Sequence, residues 1–178
     1  KLFRIHLAHK QAHWRGITYI DGETFSRCES PDRAFSAGEL VGRFHRALLD
    51  FQHEYAFARA GVHDTAAHVA RLEDVAKNSR SEFPEREEVR EQSELILESV
   101  RRSPAMPELP LRHCHGDLKI SNVLFQGDKA HCLVDLDTLG RQTLAYELGD
   151  ALRSWCNNAG EDQPVPQMDV PIFEAALR

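Results

Sequence analysis

One stretch constrains this chain more than any other: His113-Cys114-His115-Gly116-Asp117-Leu118-Lys119-Ile120-Ser121-Asn122-Val123-Leu124-Phe125, with Asp135 following at the end of the apolar run Cys132 to Val134. It contains the pattern H-x-D-x-x-x-x-N. A Gly-Asp pair by itself marks only a turn, because Asp readily bonds nearby backbone. An acid, an amide and a second acid at these intervals mean more. One carboxylate can take a proton from a hydroxyl. The amide oxygen and the other carboxylate are hard donors of the kind a small divalent cation demands. The stretch reads as a catalytic loop with Asp117, Asn122 and Asp135 as its working groups.

Composition limits what surrounds that loop. A chain of 178 residues with 42% hydrophobic residues can bury a core, and its length suits one domain with an appendage. A formal net charge of -6 argues against nucleic acid, whose phosphates call for a basic face. A cationic or neutral small molecule fits better. The apolar runs are too short to span a membrane, and Lys1-Leu2-Phe3-Arg4 lacks the apolar stretch of a signal peptide, so a cytoplasmic protein is expected. Cys28, Cys114, Cys132 and Cys156 lie far apart without a C-x-x-C pair, which predicts reduced thiols.

Taken in order, the chain opens with two short apolar runs, Leu2 to Ala8 and Trp14 to Ile20, separated by the polar residues His9 to His13. They predict a hairpin. A lone hairpin is marginal in water, which leads us to expect further sequence before Lys1. Ser30-Pro31-Asp32 is a helix start, and Ala37, Leu40, Val41, Phe44, Ala47, Leu48 and Phe51 form one apolar stripe behind it. A short helix is expected over Thr65 to Lys77. Another is expected over Ser81 to Pro104, with early acids, late arginines and a thin apolar face. Its charges read as a solvated surface. Val123 to Phe125 and His131 to Val134 predict a small hairpin beside the loop, Ala145 to Asn157 a helix, and Val170 to Leu177 the start of another.

Together these runs, HGDLKISNVLF, LVDLDT and YELGDALRSWCNNAGED, resemble the phosphotransferase family of aminoglycoside, choline, homoserine and sugar kinases. The motifs are most similar to the N-acetylhexosamine kinase branch, and Trp14-Arg15 leading to Tyr19-Ile20-Asp21 resembles the end of that branch's N-terminal lobe. The resemblance implies an α+β fold: a mostly helical, protein-kinase-like C-terminal lobe over residues 22–178, preceded in residues 1–21 by the last hairpin of an N-terminal lobe and its hinge. It implies ATP- and Mg²⁺-dependent phosphoryl transfer to a small-molecule hydroxyl.

The roles follow residue by residue as what the resemblance implies. Asp117 is the catalytic acid-base group, and Lys119 offsets charge on the transferred phosphoryl and nucleotide. His115 belongs to the same set, chiefly as a hydrogen-bonding support for the loop. Asn122 and Asp135 hold Mg²⁺, Ile20 lies at the nucleotide hinge, and Asp150 hydrogen-bonds the loop backbone. Asp137, Arg153 and Asn157 are candidate acceptor contacts. Amino sugars come first as acceptors, then aminoglycosides, choline and homoserine. A non-catalytic small-molecule-binding module is the alternative of another class, and the intact Asp117, Asn122 and Asp135 set weighs against it.

Zinc at His113, Cys114, His115 and Asp117, or at His9 and His13, is disfavoured. Neighbours on a strand point to opposite faces, and the other pair falls in an expected loop. No G-x-G-x-x-G run occurs, and Lys1, Lys10 and Lys77 are not placed to grip phosphates. The 178-residue chain by itself is therefore expected to bind ATP weakly.

Overall fold

Ser30 starts the first helix as its neighbours require. In the computed structural model, which describes residues 5–9, 12–56, 64–78, 85–104, 106–159, 163 and 165–178, α1 runs Pro31–Ala47. The Ser30 hydroxyl accepts from Arg33 N at 3.1 Å, and Asp32 lies in the first turn. Such a cap contributes about 1 kcal/mol by satisfying an amide the helix leaves open. Ala37 and Val41 from the expected stripe are buried and Leu40 packs beside them. The helix stops at Ala47, short of the expected Phe51. Leu48 caps it by donating its N–H to the carbonyls of Arg46 and His45. Phe51 instead braces His113: its carbonyl lies 2.8 Å from His113 Nε2, and the two rings meet edge to face at 5.0 Å.

The described residues are α+β, in two units, Lys1–His53 with Leu111–Arg178, and Glu54–Pro110. The expected opening hairpin exists with different bounds. β1 (Ile5–His9) pairs antiparallel with β2 (Ala12–Gly16), with His9 opposite Ala12. Only Lys10 and Gln11 separate the strands, so His9 and His13 belong to the ladder rather than to a loop, and Ile17 to Ile20 lie beyond it. Residues 2–4 of the expected first strand fall outside the described residues. The chain then rejoins the fold at Glu23, whose N–H donates to Phe125 O and whose carbonyl accepts from Phe125 N, each at 2.9 Å.

The smaller unit holds α2 (Thr65–Asn78) and α3 (Arg86–Arg102). None of α2 is buried, and α3 buries Ser93 and Leu97, in keeping with its thin apolar face. Ser81, the expected cap, lies outside the described residues, and Glu85 occupies the cap position. Arg90 bridges Glu87 and Glu94 along the exposed side. Exposed pairs of this spacing add only a few tenths of a kcal/mol each.

In the larger unit, β3 (Leu111–Cys114), β4 (Val123–Gln126), β5 (Lys129–Leu133) and β6 (Gly140–Thr143) make two antiparallel ladders, β3 with β6 and β4 with β5. The β4–β5 hairpin was expected; β6 was not, because Gly-Arg-Gln-Thr carries no strand pattern of its own. Two further helices follow, α4 (Leu144–Trp155) and α5 (Val170–Ala176), the latter capped by Asp169 accepting from Ile172 N at 2.9 Å. Phe125, Leu118, Ile120, Val123 and Ile172 are all but inaccessible and form the core with Ala34, Ala37 and Trp155. α1 and α5 touch so closely that a Cβ on Gly38 would lie 2.3 Å from the Ala176 carbonyl oxygen. Arg33 lies over the Phe25 ring at 3.7 Å and pairs with Asp128 at 2.9 Å, and the Ser36 hydroxyl accepts from Ala130 N, so α1 is tied to the β4–β5 hairpin.

All four cysteines are free, as expected. No described helix is long and apolar enough to cross a membrane.

Phe125 carries both the core and the bridge to Glu23, so Phe125→Ala should cost about 3–5 kcal/mol in chemical denaturation. Val75→Ala, at a position 52% exposed, should stay within about 0.5 kcal/mol. Equal effects of the two would contradict this placement of the core.

Candidate active site

The loop between β3 and β4 has little regular structure, so its backbone groups need partners from elsewhere. One helix supplies most of them. The Glu147 carboxylate of α4 accepts from two consecutive amides, His115 N at 2.7 Å and Gly116 N at 2.9 Å. Two turns on, the Ser154 hydroxyl accepts from Ile120 N at 3.2 Å, and the Trp155 ring N–H donates to Leu118 O at 2.7 Å. Thr138 closes the other side by donating its hydroxyl to His115 O at 2.8 Å. Gly116 adopts φ +82°, where a side chain would be strained, and a Cβ there would meet Thr138 O at 2.6 Å. The loop thus takes its shape from α4 and from the turn before β6.

Asp117 emerges from this support partly exposed. Its Oδ2 accepts from Asn122 Nδ2 at 3.0 Å and lies 3.0 Å from Lys119 Nζ. Asn122 Nδ2 also donates to Asp117 O at 2.8 Å. With the nitrogen so committed, Asn122 Oδ1 is the oxygen left for a hard cation. Asn122 N donates to Lys119 O, and Asn122 O accepts from Val134 N, each at 2.9 Å. The residue after Val134 is Asp135, so the β4–β5 hairpin returns the second carboxylate to the end of the ladder beside Asn122.

Asp135 has φ 60° and is the one non-glycine with positive φ among the described residues. Asp tolerates that conformation better than most side chains, and here it leads from the strand into the 3-10 turn Leu136–Thr138. An amide oxygen and an exposed carboxylate on adjoining backbone fit the donor set that Mg²⁺ takes.

The remaining expected site residues divide. His115 is fully buried, with Nε2 at 2.8 Å from the Val134 carbonyl oxygen. It therefore ties the loop to the segment before Asp135, as a support out of reach of substrate. Ile20 is 40% exposed, three residues before the Glu23 bridge to Phe125. Asp137 lies exposed in the short 3-10 turn Leu136–Thr138.

Arg153 and Asn157 do not share a helical face, because α4 ends at Trp155. Arg153 pairs with Asp150 at 3.1 Å. Asn157 Oδ1 accepts from Ala159 N and Gln167 N, which gives it a local task where the chain turns back toward α5.

Asp150 is a correction of a different kind. The hold on the loop amides that resemblance assigned to it belongs to Glu147, one turn earlier. Helical spacing points toward Glu147, which lies at the centre of the face with the buried Ala151, Ser154 and Trp155, whereas Asp150 lies at the edge of that face and pairs with Arg153. His45, at 3.4 Å from Glu147 Oε1, was also missed.

With its exposure at only 2%, Glu147 would be expected to resist ionisation. Burial pushes its carboxyl up, but the His45 ring and the amides of Gly116 and His115 outweigh that and hold it below the ordinary glutamate range. Cys114 beside it is pushed up to about 12, first by burial and then by the Glu147 charge.

An α+β fold of this order, with two carboxylates and an amide gathered about a helix-braced loop, matches that of a kinase-like phosphotransferase. The chain belongs to the phosphotransferase enzyme family, whose family-wide sequence pattern matches residues 2–170. Among solved structures it is similar to a crystal structure of aminoglycoside-3'-phosphotransferase of type VIII, with a TM-score of 0.53 and 20% sequence identity. That match covers 99% of this chain and 63% of the other, so the chain spans less than two thirds of that protein's length.

A carboxyl depressed in the folded state stabilises above its ordinary value, 4.5 for glutamate, and that contribution is lost as pH falls through the depressed value. Glu147→Gln should therefore lower the melting temperature at pH 7, and the gap to the unmodified protein should narrow as pH falls below 4.5. A gap that stays constant from neutral to strongly acid pH would contradict an ionised Glu147 in the fold.

Proposed function

We propose that this chain carries the catalytic centre of an ATP- and Mg²⁺-dependent kinase that phosphorylates a hydroxyl of a small molecule, an amino sugar or related sugar in the first place. The observation that carries this reading is the fixed Asp117 carboxylate, with Oδ2 held between Asn122 Nδ2 and Lys119 Nζ. In that grip Asp117 accepts the proton of the acceptor hydroxyl as its oxygen bonds to the γ-phosphorus and the bond to the ADP oxygen breaks. Lys119, paired with Asp117 in the resting site, is placed to shift toward phosphate oxygens and offset their charge. Asn122 Oδ1 and Asp135 would hold Mg²⁺, which neutralises phosphate charge when bound.

Ile20, in the extended stretch after β2, serves the nucleotide hinge. On this reading residues 1–21 are the end of an N-terminal lobe and 22–178 the C-terminal lobe, and the site of action is the cytoplasm. Asp137, Arg153 and Asn157 are the weakest assignments, Asn157 most of all given its backbone partners. An aminoglycoside is the second acceptor class, supported by the similarity to a phosphotransferase acting on aminoglycosides and by the net charge of -6, which suits a cationic substrate. The acceptor and ATP are the partners this chemistry needs; nucleic acid and membrane are not among them.

In the complete protein, Asp117→Asn should lower kcat by about 10² to 10⁴-fold with little change in nucleotide affinity. Asp135→Ala should remove the Mg²⁺ dependence of nucleotide binding, because the ion links phosphates to the protein. Steady-state kinetics and calorimetry read these two effects. An Asp117→Asn enzyme with more than about a tenth of the original kcat would sink the assignment of the base.

A further inference from the structure

We infer that His45 is a positioning residue for Asp117, acting through the Glu147 carboxylate, an inference that rests on the function proposed above. The carboxylate faces two backbone N–H groups, which donate hydrogen bonds but carry no net charge. Its side chain is 1% exposed, so water contributes almost nothing to holding it. Its neighbours can be named element by element. The end of α1 brings His45, with Nε2 at 3.4 Å; β3 brings the Cys114 thiol; and the loop brings the amides of His115 and Gly116. Of these His45 is the one group that can carry a positive charge.

The contact is too long and poorly aligned to count as a full hydrogen bond, so its strength is electrostatic when the ring is protonated. The last turn of α1 favours a cation there, because the carbonyl ends of the helix point that way. Removing His45 leaves a buried carboxylate with less support, and such a group shifts or takes up a proton. Either response loosens the amides on both sides of Gly116, immediately before Asp117.

A metal site is the competing reading of the same cluster, since a ring nitrogen of His45, Cys114 Sγ and a Glu147 oxygen all lie within 4.8 Å of one another. Both Glu147 oxygens already accept backbone hydrogen bonds, and Cys114 donates its thiol proton to Gln142 O at 3.6 Å. The carboxylate oxygens and the thiol are therefore already committed within the protein. On its outer side His45 borders a cavity of about 250 Å³ with Arg46, Arg112 and Leu144, so the ring is not wedged in place and a glutamine fits where it stands.

The test uses the full-length protein, with His45→Ala and His45→Gln. Amide hydrogen exchange at His115 and Gly116 is read beside that of Phe125, whose N–H is bonded to Glu23 O away from the cluster. The inference predicts that His45→Ala speeds exchange at His115 and Gly116 by about tenfold or more, the scale of losing a charge-assisted contact, and leaves Phe125 unchanged. It also predicts a comparable fall in kcat, nucleotide KM within about twofold, and only minor recovery of either effect in His45→Gln, which keeps a side-chain N–H but carries no charge.

Unchanged exchange at His115 and Gly116, or an equal rise at Phe125, would overturn it. Exchange needs no turnover, so a protein without kinase activity in which these amides still respond to His45 would refute the proposed function and not the link from His45 through Glu147 to the loop.

Discussion

Two hydrogen bonds from one buried carboxylate hold this site together. Glu147 accepts from His115 N and Gly116 N, and Asp117, Lys119 and Asn122 follow within the next six residues. A loop that presents a carboxylate outward cannot also satisfy its own amides by a regular ladder. An acid on a packed helix is an economical partner, because an ionised acceptor bonds more strongly than a neutral one and each oxygen can take an amide. Ser154 and Trp155 continue the same logic along α4 at Ile120 and Leu118. One helix therefore sets the backbone from position 115 to position 120, and Asp117 inherits its place from it.

The second half of the site comes from the β4–β5 hairpin. Its ladder ends with Val134 N on Asn122 O, so a catalytic-loop residue and the approach to Asp135 are parts of one sheet edge. His115 braces the same edge from within by contacting the Val134 carbonyl oxygen. Asp117, Asn122 and Asp135 are thus fixed relative to one another by bonds of the surrounding backbone. Preorganisation of this kind matters for phosphoryl transfer, in which positioning and charge do most of the catalytic work.

What the sequence revealed, and what it hid, divides along physical lines. α1 announced itself through local chemistry, the Ser30 cap and an apolar stripe, and the β4–β5 hairpin through two apolar runs about Gly127. Asp117, Asn122 and Asp135 stood out by spacing and residue type, and the fold sets Asp117 against Asn122 and brings Asp135 to the end of the ladder beside it. The end of α1 was misjudged because Phe51 continues the apolar phase, while the chain uses it instead against His113. β6 was invisible because Gly140 to Thr143 becomes a strand only through Leu111 to Cys114 across from it. Glu147 was passed over in favour of Asp150 because resemblance drew attention to the Gly-Asp pair, although the buried face of α4 runs through Glu147. His45 could not have been found from local pattern, since its partner lies a hundred positions away. Sequence chemistry thus singled out the proposed working groups and one support, His115, and missed the other side chains that hold the loop.

The activity proposed for this braced loop is transfer of a phosphoryl group to a small-molecule hydroxyl. The most direct measurement incubates the complete protein with Mg-ATP and a pool of hexosamines and aminoglycosides, and reads the products by mass spectrometry. A phosphorylated sugar or aminoglycoside, formed with one equivalent of ADP and absent without Mg²⁺, is the predicted result. ATP and acceptor both bound under those conditions, with no phosphorylated product, would contradict the claim and identify the protein as a binding module instead.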